Sequence, residues 1–355
     1  MTDRAGTRAS TAGTYDLAWR LDPASPQVRG RTTIRFTGAR ERVDLAADRV
    51  LAASLNGRPV RPDSSPTGGD GDNVLRVEAL FPFRDRGFRR VVDPADGQVY
   101  LYATNFPDAV SRTMGGFGDP GDRADVALTV TVPPSWRCLA NGRAVVDAGA
   151  VRTFTPVASI ARSTVAAAAG PFARVHESVH VPRSRAAADG AAVADVVTRA
   201  IAFYEDLLGP YPYAKCDVVF VPGLSSLALS TPGLILVDLP VLDRLDDPRY
   251  ATVVLGHEVA HAWVGNLVDF PAPLTEGLAT YLSRIFAEHT GPWDDLPDHS
   301  LPDRPYRPHL DRVRAVEAAV GRPALLRGLR AALTDLAHGR GTEADLATRW
   351  AAAQE

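Results

Sequence analysis

Two histidines and two glutamates in the last third of the chain have the types and spacing for metal-assisted hydrolysis. They lie in His257-Glu258-Val259-Ala260-His261 and, fourteen residues further on, Thr275-Glu276-Gly277. On a helix, positions i and i+4 share a face, so His257 and His261 can offer two imidazole nitrogens to one tetrahedral Zn²⁺. A catalytic zinc takes three protein ligands and leaves a fourth position for water, and Glu276 is the candidate for the third. Such a metal lowers the pKa of its water toward ~7. Glu258, beside the ligands, then reads as the general base.

Five letters with two unconstrained positions also arise by chance, and the chain contains a second copy, His176-Glu177-Ser178-Val179-His180. Around it, Phe172 to Pro182 partly alternates apolar and polar residues, which predicts a strand. Along a strand, residues four apart are separated by roughly 13 Å, too far to share an ion. This copy is therefore read as a decoy.

The elements around the first copy are of the other kind. Tyr250 to Gly256 leads into it and Ala262-Trp263-Val264 continues it, with apolar residues at helical spacing, and Gly265-Asn266 supplies a stop. Leu274 to Leu282 then predicts a second helix, with Thr275 as cap and Glu276 in the first turn. Two adjacent helices would thus converge three ligands on one ion.

The strings HEVAHAWVGNLV and LTEGLATY resemble the aminopeptidase N family of gluzincin metallopeptidases. Upstream, Tyr15-Asp16-Leu17, Arg29 to Ile34, Leu55 to Pro59, Val92 to Gly97 and Ala169-Gly170-Pro171-Phe172 resemble, in order, the N-terminal β-domain of that family, so nearly the whole chain is covered. The resemblance implies one zinc per chain on His257, His261 and Glu276, with Glu258 as base and proton shuttle. It also implies an oxyanion-stabilising tyrosine followed fifteen residues later by Gly, an interval that Tyr306 and Gly321 fit. Arg307-Pro308-His309 replaces the Lys-Gly pattern usual after that tyrosine, and His309 falls near the same cleft.

Three departures concern the substrate. The family binds a substrate's α-amino group with a Glu in a Gly-Ala-Met-Glu-Asn segment; here that stretch is Leu227-Ala228-Leu229-Ser230-Thr231, with Ser230 in place of the Glu. A Gln that assists the same task is replaced around Thr104-Asn105. Fourteen residues separate His261 from Glu276 where the family has eighteen, and Val268 to Pro273, with two prolines, predicts a short stiff turn. The chain also stops at Glu355, where larger members continue into a helical domain over the cleft. This leaves an open site, or one covered by a second subunit or another partner.

The fold expected is α+β: residues 1–175 an aminopeptidase N-like β-sandwich or saddle, residues 176–355 a thermolysin-like catalytic domain. Short β-type runs such as Arg31 to Phe36, Val74 to Val77, Val99 to Tyr102 and Val126 to Val132 support the first, with turns at Asn56-Gly57 and Asn141-Gly142 and a flexible insert from Pro62 to Asp72. For the second, helices are predicted at Ala191 to Leu208, Leu310 to Val320 and Ala324 to Ala337, and strands at Asp217 to Val221 and Leu234 to Val237. Gly115 to Gly121 is glycine-rich, but neither a Lys nor a helix follows it, so a phosphate loop is not expected.

At 355 residues, 45% hydrophobic and 23% charged, the chain has the composition of a soluble globular protein with room for two domains. A net charge of −3 gives no reason to invoke nucleic acid. No apolar run approaches the ~20 residues that span a bilayer, and the first residues lack a signal-type apolar core, so no membrane partner and a cytoplasmic location are expected. Cys138 and Cys216 are expected to stay reduced. The expected function is zinc-dependent hydrolysis of an amide or peptide bond in a small peptide or amino-acid-derived substrate. Loss of the amine anchors keeps open a modified amino acid, a biosynthetic intermediate or an epoxide as substrate. A noncatalytic zinc-binding protein is the third reading.

Overall fold

The computed structural model describes residues 13–354 apart from 41–42, 62–67, 120, 294 and 298–305. The first half of the predicted insert and the segment just before Tyr306 therefore lie outside the described residues. The fold is α+β, rich in sheet at first and in helices later. The chain divides into two compact units. One comprises Met1–Ala173, Pro182–Arg185 and Pro232–Leu234; the other comprises Arg174–Val181, Ala186–Thr231 and Ile235–Glu355.

The first unit holds a nine-stranded and a four-stranded sheet. In the larger, Thr14–Arg20 pairs antiparallel with Gln27–Thr37 and parallel with Arg123–Thr131. Its strands read as half-buried ribbons: along Asp72–Pro82, Asn73, Leu75, Val77, Ala79 and Phe81 are buried and the residues between them are not. The smaller sheet has the order Gly87–Val92, Val99–Thr104, Ala166–Gly170, Arg137–Ala140. Phe88 from this sheet packs edge-on against Trp19 of the larger at 5.0 Å between ring centroids, with Phe81 alongside at 5.8 Å. Asn56 and Gly57 both take positive φ, 51° and 81°, as the two-residue hairpin turn between Arg49–Leu55 and Arg58–Pro59 requires. In the glycine-rich loop, carbonyls of Phe117, Gly118 and Asp119 accept from the buried Arg162 guanidinium. That polarity suits a cation and is the opposite of a phosphate cradle.

The second unit has a five-stranded sheet in the order Ala173–His176, Val179–Val181, Asp217–Val221, Leu234–Asp238, Ala228–Thr231. Its helices are α1 (Gly190–Leu208), α2 (Leu239–Leu242), α3 (Pro248–Ala260), α4 (Ala272–Thr290), α5 (Arg307–Val320), α6 (Arg322–Asp335) and α7 (Glu343–Ala352). Asp189 caps α1 by accepting from Ala192 N–H, and Asp247 caps α3 with Pro248 in the first turn. Every residue of α3 from Tyr250 to Ala260 is buried, so this helix runs through the middle of its unit. Tyr204 of α1 fixes its position, donating its buried hydroxyl to Gly256 O at 3.0 Å and packing its ring against Trp263 and Phe286.

Five local expectations are corrected. The decoy is not one strand: Ala173–His176 and Val179–Val181 are neighbouring strands joined by a turn at Glu177-Ser178, with Ser178 N–H donating to His176 Nδ1. The pleat leaves His176 exposed and His180 buried, so the two do not converge. The regular part of α3 ends at Ala260, before Gly265-Asn266. His261 still has helical angles, φ −59° and ψ −18°, and the chain then turns back through Gly265 at φ 108°. The prolines of Val268 to Pro273 do not form a separate turn. They start α4, Pro271 at its cap and Pro273 in its first turn, where a missing N–H costs nothing. Thr275 is not the cap; its hydroxyl donates to Phe270 O. Glu276 accordingly lies past the first turn.

Cys138, in Arg137–Ala140, and Cys216, just before Asp217–Val221, are unbridged. No described helix is long and apolar enough to cross a membrane.

Candidate metal centre

His257 and His261 project from one face at the end of α3, as the i, i+4 spacing dictates, and Glu276 reaches them from α4, which packs against α3. Their ligand-type atoms all lie within 4.8 Å of one another, the one such His/Cys/Asp/Glu group among the described residues. His257 Nε2 is 3.0 Å from His261 Nε2; Glu276 Oε2 is 3.3 Å from the first and 3.8 Å from the second. Three ligands of a tetrahedral zinc with bonds of about 2.0–2.2 Å stand about 3.3–3.6 Å apart, and the observed edges of 3.0, 3.3 and 3.8 Å bracket that spacing. A further observation agrees: Glu276 Oε2 is buried without a hydrogen-bond partner.

The far edges of the imidazoles are also held. His261 Nδ1 is 3.1 Å from Val264 O, in the turn that Gly265 closes, and a carbonyl can only accept. The proton of His261 therefore sits on Nδ1 and Nε2 carries the lone pair. His257 Nδ1 is 3.4 Å from Thr280 Oγ1, and the Tyr306 ring stacks on the His257 ring at 5.2 Å and 14°. Tyr306 sits at the start of α5, and Gly277 lets α5 come that close: a Cβ there would lie 2.6 Å from His309 O.

Charge at the centre is uneven. Burial raises the Glu258 carboxyl from its ordinary 4.5 to about 7; Glu276 adds to this, while His257 and the Ser230 N–H that donates to Glu258 oppose it. Burial would raise Glu276 as well, but contact with His257 and the charges of His257, His261 and His309 outweigh it and hold the group at about 2. Burial pushes His261 down, helped by His257. At His257 burial also acts downward, but Glu276 and then Glu258 leave it raised. The centre thus pairs a carboxylate that stays ionised with a neighbouring one that accepts a proton near neutrality.

Ser230 lies on Ala228–Thr231, the edge strand of the sheet, and Asn266 Nδ2 approaches its hydroxyl at 3.5 Å. The structure therefore brings His257, Glu258, His261, Glu276, Tyr306 and Ser230 together in one unit. Thr104 and Asn105 belong to the other; both are buried, and Asn105 Oδ1 accepts from Thr113. Sequence reading passed over Thr280 and Gly277, although both lie beside Glu276 on α4. A ligand on a helix has neighbours one turn away on the same face, and that periodicity was the available signal for Thr280.

Residues 193–304 match the model of the peptidase family M1 domain. The chain carries an M1 domain. The matched segment runs from α1 through Glu276 and stops two residues short of Tyr306. Aminopeptidase N of Streptomyces lividans is 30% identical over 292 residues, which cover 71% of this chain and 34% of that protein. Aminopeptidase M1-C of Oryza sativa subsp. japonica is 27% identical over 287 residues, 72% of this chain and 31% of the relative. Aminopeptidase 2, mitochondrial, of Saccharomyces cerevisiae is 30% identical over 250 residues, 62% and 26%. The chain spans about a third or less of the length of these relatives. The aminopeptidase N-like resemblance read from the two motifs is thus supported by the family match and by relatives that align well beyond the M1 segment.

Proposed function

We propose that this M1 domain, in a thermolysin-like arrangement, is a zinc-dependent hydrolase of amide or peptide bonds whose substrate recognition does not depend on a carboxylate for the free α-amino group. The observation that carries the reading is the triangle of His257 Nε2, His261 Nε2 and Glu276 Oε2, of the size a tetrahedral zinc requires, with Glu258 next in the chain. When bound there, zinc supplies Lewis-acid activation of water and of the scissile carbonyl. Glu258 takes the proton of the attacking water and returns it to the departing amine, a cycle suited to a carboxyl poised near 7. Tyr306, stacked on His257, is positioned to donate to the oxyanion that develops on the carbonyl.

Ser230 also motivates the statement about specificity. Beside Glu258, where a carboxylate would attract an ammonium, stands a hydroxymethyl group whose neighbour is Asn266. The test is a screen of aminoacyl anilides and peptides with free and blocked amino termini, plus epoxides and modified amino acids, with Glu258→Gln as control. Zinc-dependent amide cleavage that tolerates blocked termini is expected. Strong preference for free termini would overturn the reading of Ser230, turnover of epoxides alone would overturn the amide assignment, and no conversion at all would leave a noncatalytic zinc protein.

A further inference from the structure

His257 is the most enclosed of the three ligands, 1% exposed, and what holds its ring decides where its lone pair points. One neighbour comes from α4. Thr280 is one helical turn beyond Glu276, so both side chains leave α4 on the face that meets α3. The Thr280 side chain is buried in turn, and its Oγ1 lies 3.4 Å from His257 Nδ1. That is a few tenths longer than a typical N–H···O bond.

We propose that Thr280 is a positioning residue of the metal centre, accepting the Nδ1–H of His257 and so fixing the tautomer whose Nε2 is free to bind zinc. The inference rests on the zinc reading above. His261 is oriented by a backbone carbonyl, which no substitution removes. A hydroxyl, by contrast, can donate or accept. With zinc on the Nε2 of His257, which faces Glu276 Oε2 and His261 Nε2, the ring proton is left on Nδ1 and the hydroxyl has to accept it. Through Thr280, α4 both supplies one ligand and aims another. The Tyr306 ring stacks on the face of the same imidazole.

Thr280→Val keeps the shape of the side chain and removes the acceptor; Thr280→Ser keeps the acceptor and removes a methyl. Zinc affinity is measured by competition against a chelator of known affinity, with thermal unfolding of each metal-free variant as a check on folding. Loss of an outer partner of a metal-bound His weakens binding about 10–100-fold. That loss is expected for Val, and for Ser an affinity within about threefold of the wild type. The ¹⁵N spectrum of the zinc-loaded wild type needs no variant: His257 should show a protected Nδ1–H. Wild-type affinity in Thr280→Val, or equal loss in the Val and Ser variants, would overturn the role of Thr280 while leaving the zinc site standing; a His257 protonated on Nε2 in the zinc-loaded protein would overturn both. Failure of the wild type to bind zinc would overturn both.

Discussion

In the metal-free protein, replacing the general base should stabilise the fold, and by an amount that depends on pH. Glu258 is 8% exposed and burial raises its carboxyl from 4.5 to about 7. Because its pKa is higher in the folded state than in the unfolded state, the folded chain holds a proton between these values that the unfolded chain has lost. Stability from this group is therefore complete below about pH 4.5 and is lost as pH rises through 7. A shift from 4.5 to about 7, at 1.36 kcal/mol per unit, corresponds to about 3 kcal/mol at pH 8. Glu258→Gln imitates the protonated acid at every pH, so the metal-free variant should gain about that much at pH 8 and nothing below pH 4.5. For a unit of this size the gain corresponds to roughly 6–12 °C in Tm. Thermal unfolding of both proteins with chelator at pH 4.5, 6 and 8 measures it. A difference that is flat with pH, or that favours the wild type at pH 8, would refute the account of Glu258 as a carboxyl strained by burial and so poised to take a proton.

Other outcomes follow from single contacts. Gly277→Ala places a methyl 2.6 Å from His309 O, so α5 must retreat; overpacking of this kind costs about 1–3 kcal/mol, and chemical denaturation should show a loss in that range. Tyr306→Phe keeps the stack on His257 and should leave zinc affinity unchanged, while turnover of any amide substrate falls about 10²–10³-fold; unchanged turnover would remove Tyr306 from the chemistry. Zinc at 100 times its Kd should stabilise the folded chain by about 2.7 kcal/mol, and the same addition to Glu276→Gln should give less.

The chemistry-bearing residues were legible because their constraint is local. The i, i+4 pair on α3 and a carboxylate on the next helix need only helical periodicity, and the strand runs of the first unit show their buried face as alternation. Boundaries were less legible. Proline reads as a turn in isolation, yet Pro271 and Pro273 open α4, because the first turn of a helix has no use for their missing N–H. At His176, the turn at Glu177-Ser178 was hidden in a segment that reads as one strand, although the conclusion that its histidines do not converge held. Thr280 and Gly277 were harder to read for another reason: helical periodicity puts Thr280 on the face of Glu276, but each meets a residue distant in sequence, His257 and His309, and only the packing of α3, α4 and α5 brings those pairs together.

The central claim is that His257, His261 and Glu276 hold one zinc beside Glu258. The direct test is the zinc content of purified wild type, His261→Ala and Glu258→Gln after dialysis. The account predicts about one zinc per chain in the wild type and in Glu258→Gln, and little or none in His261→Ala. Full occupancy in His261→Ala, or loss of the metal from Glu258→Gln, would contradict it.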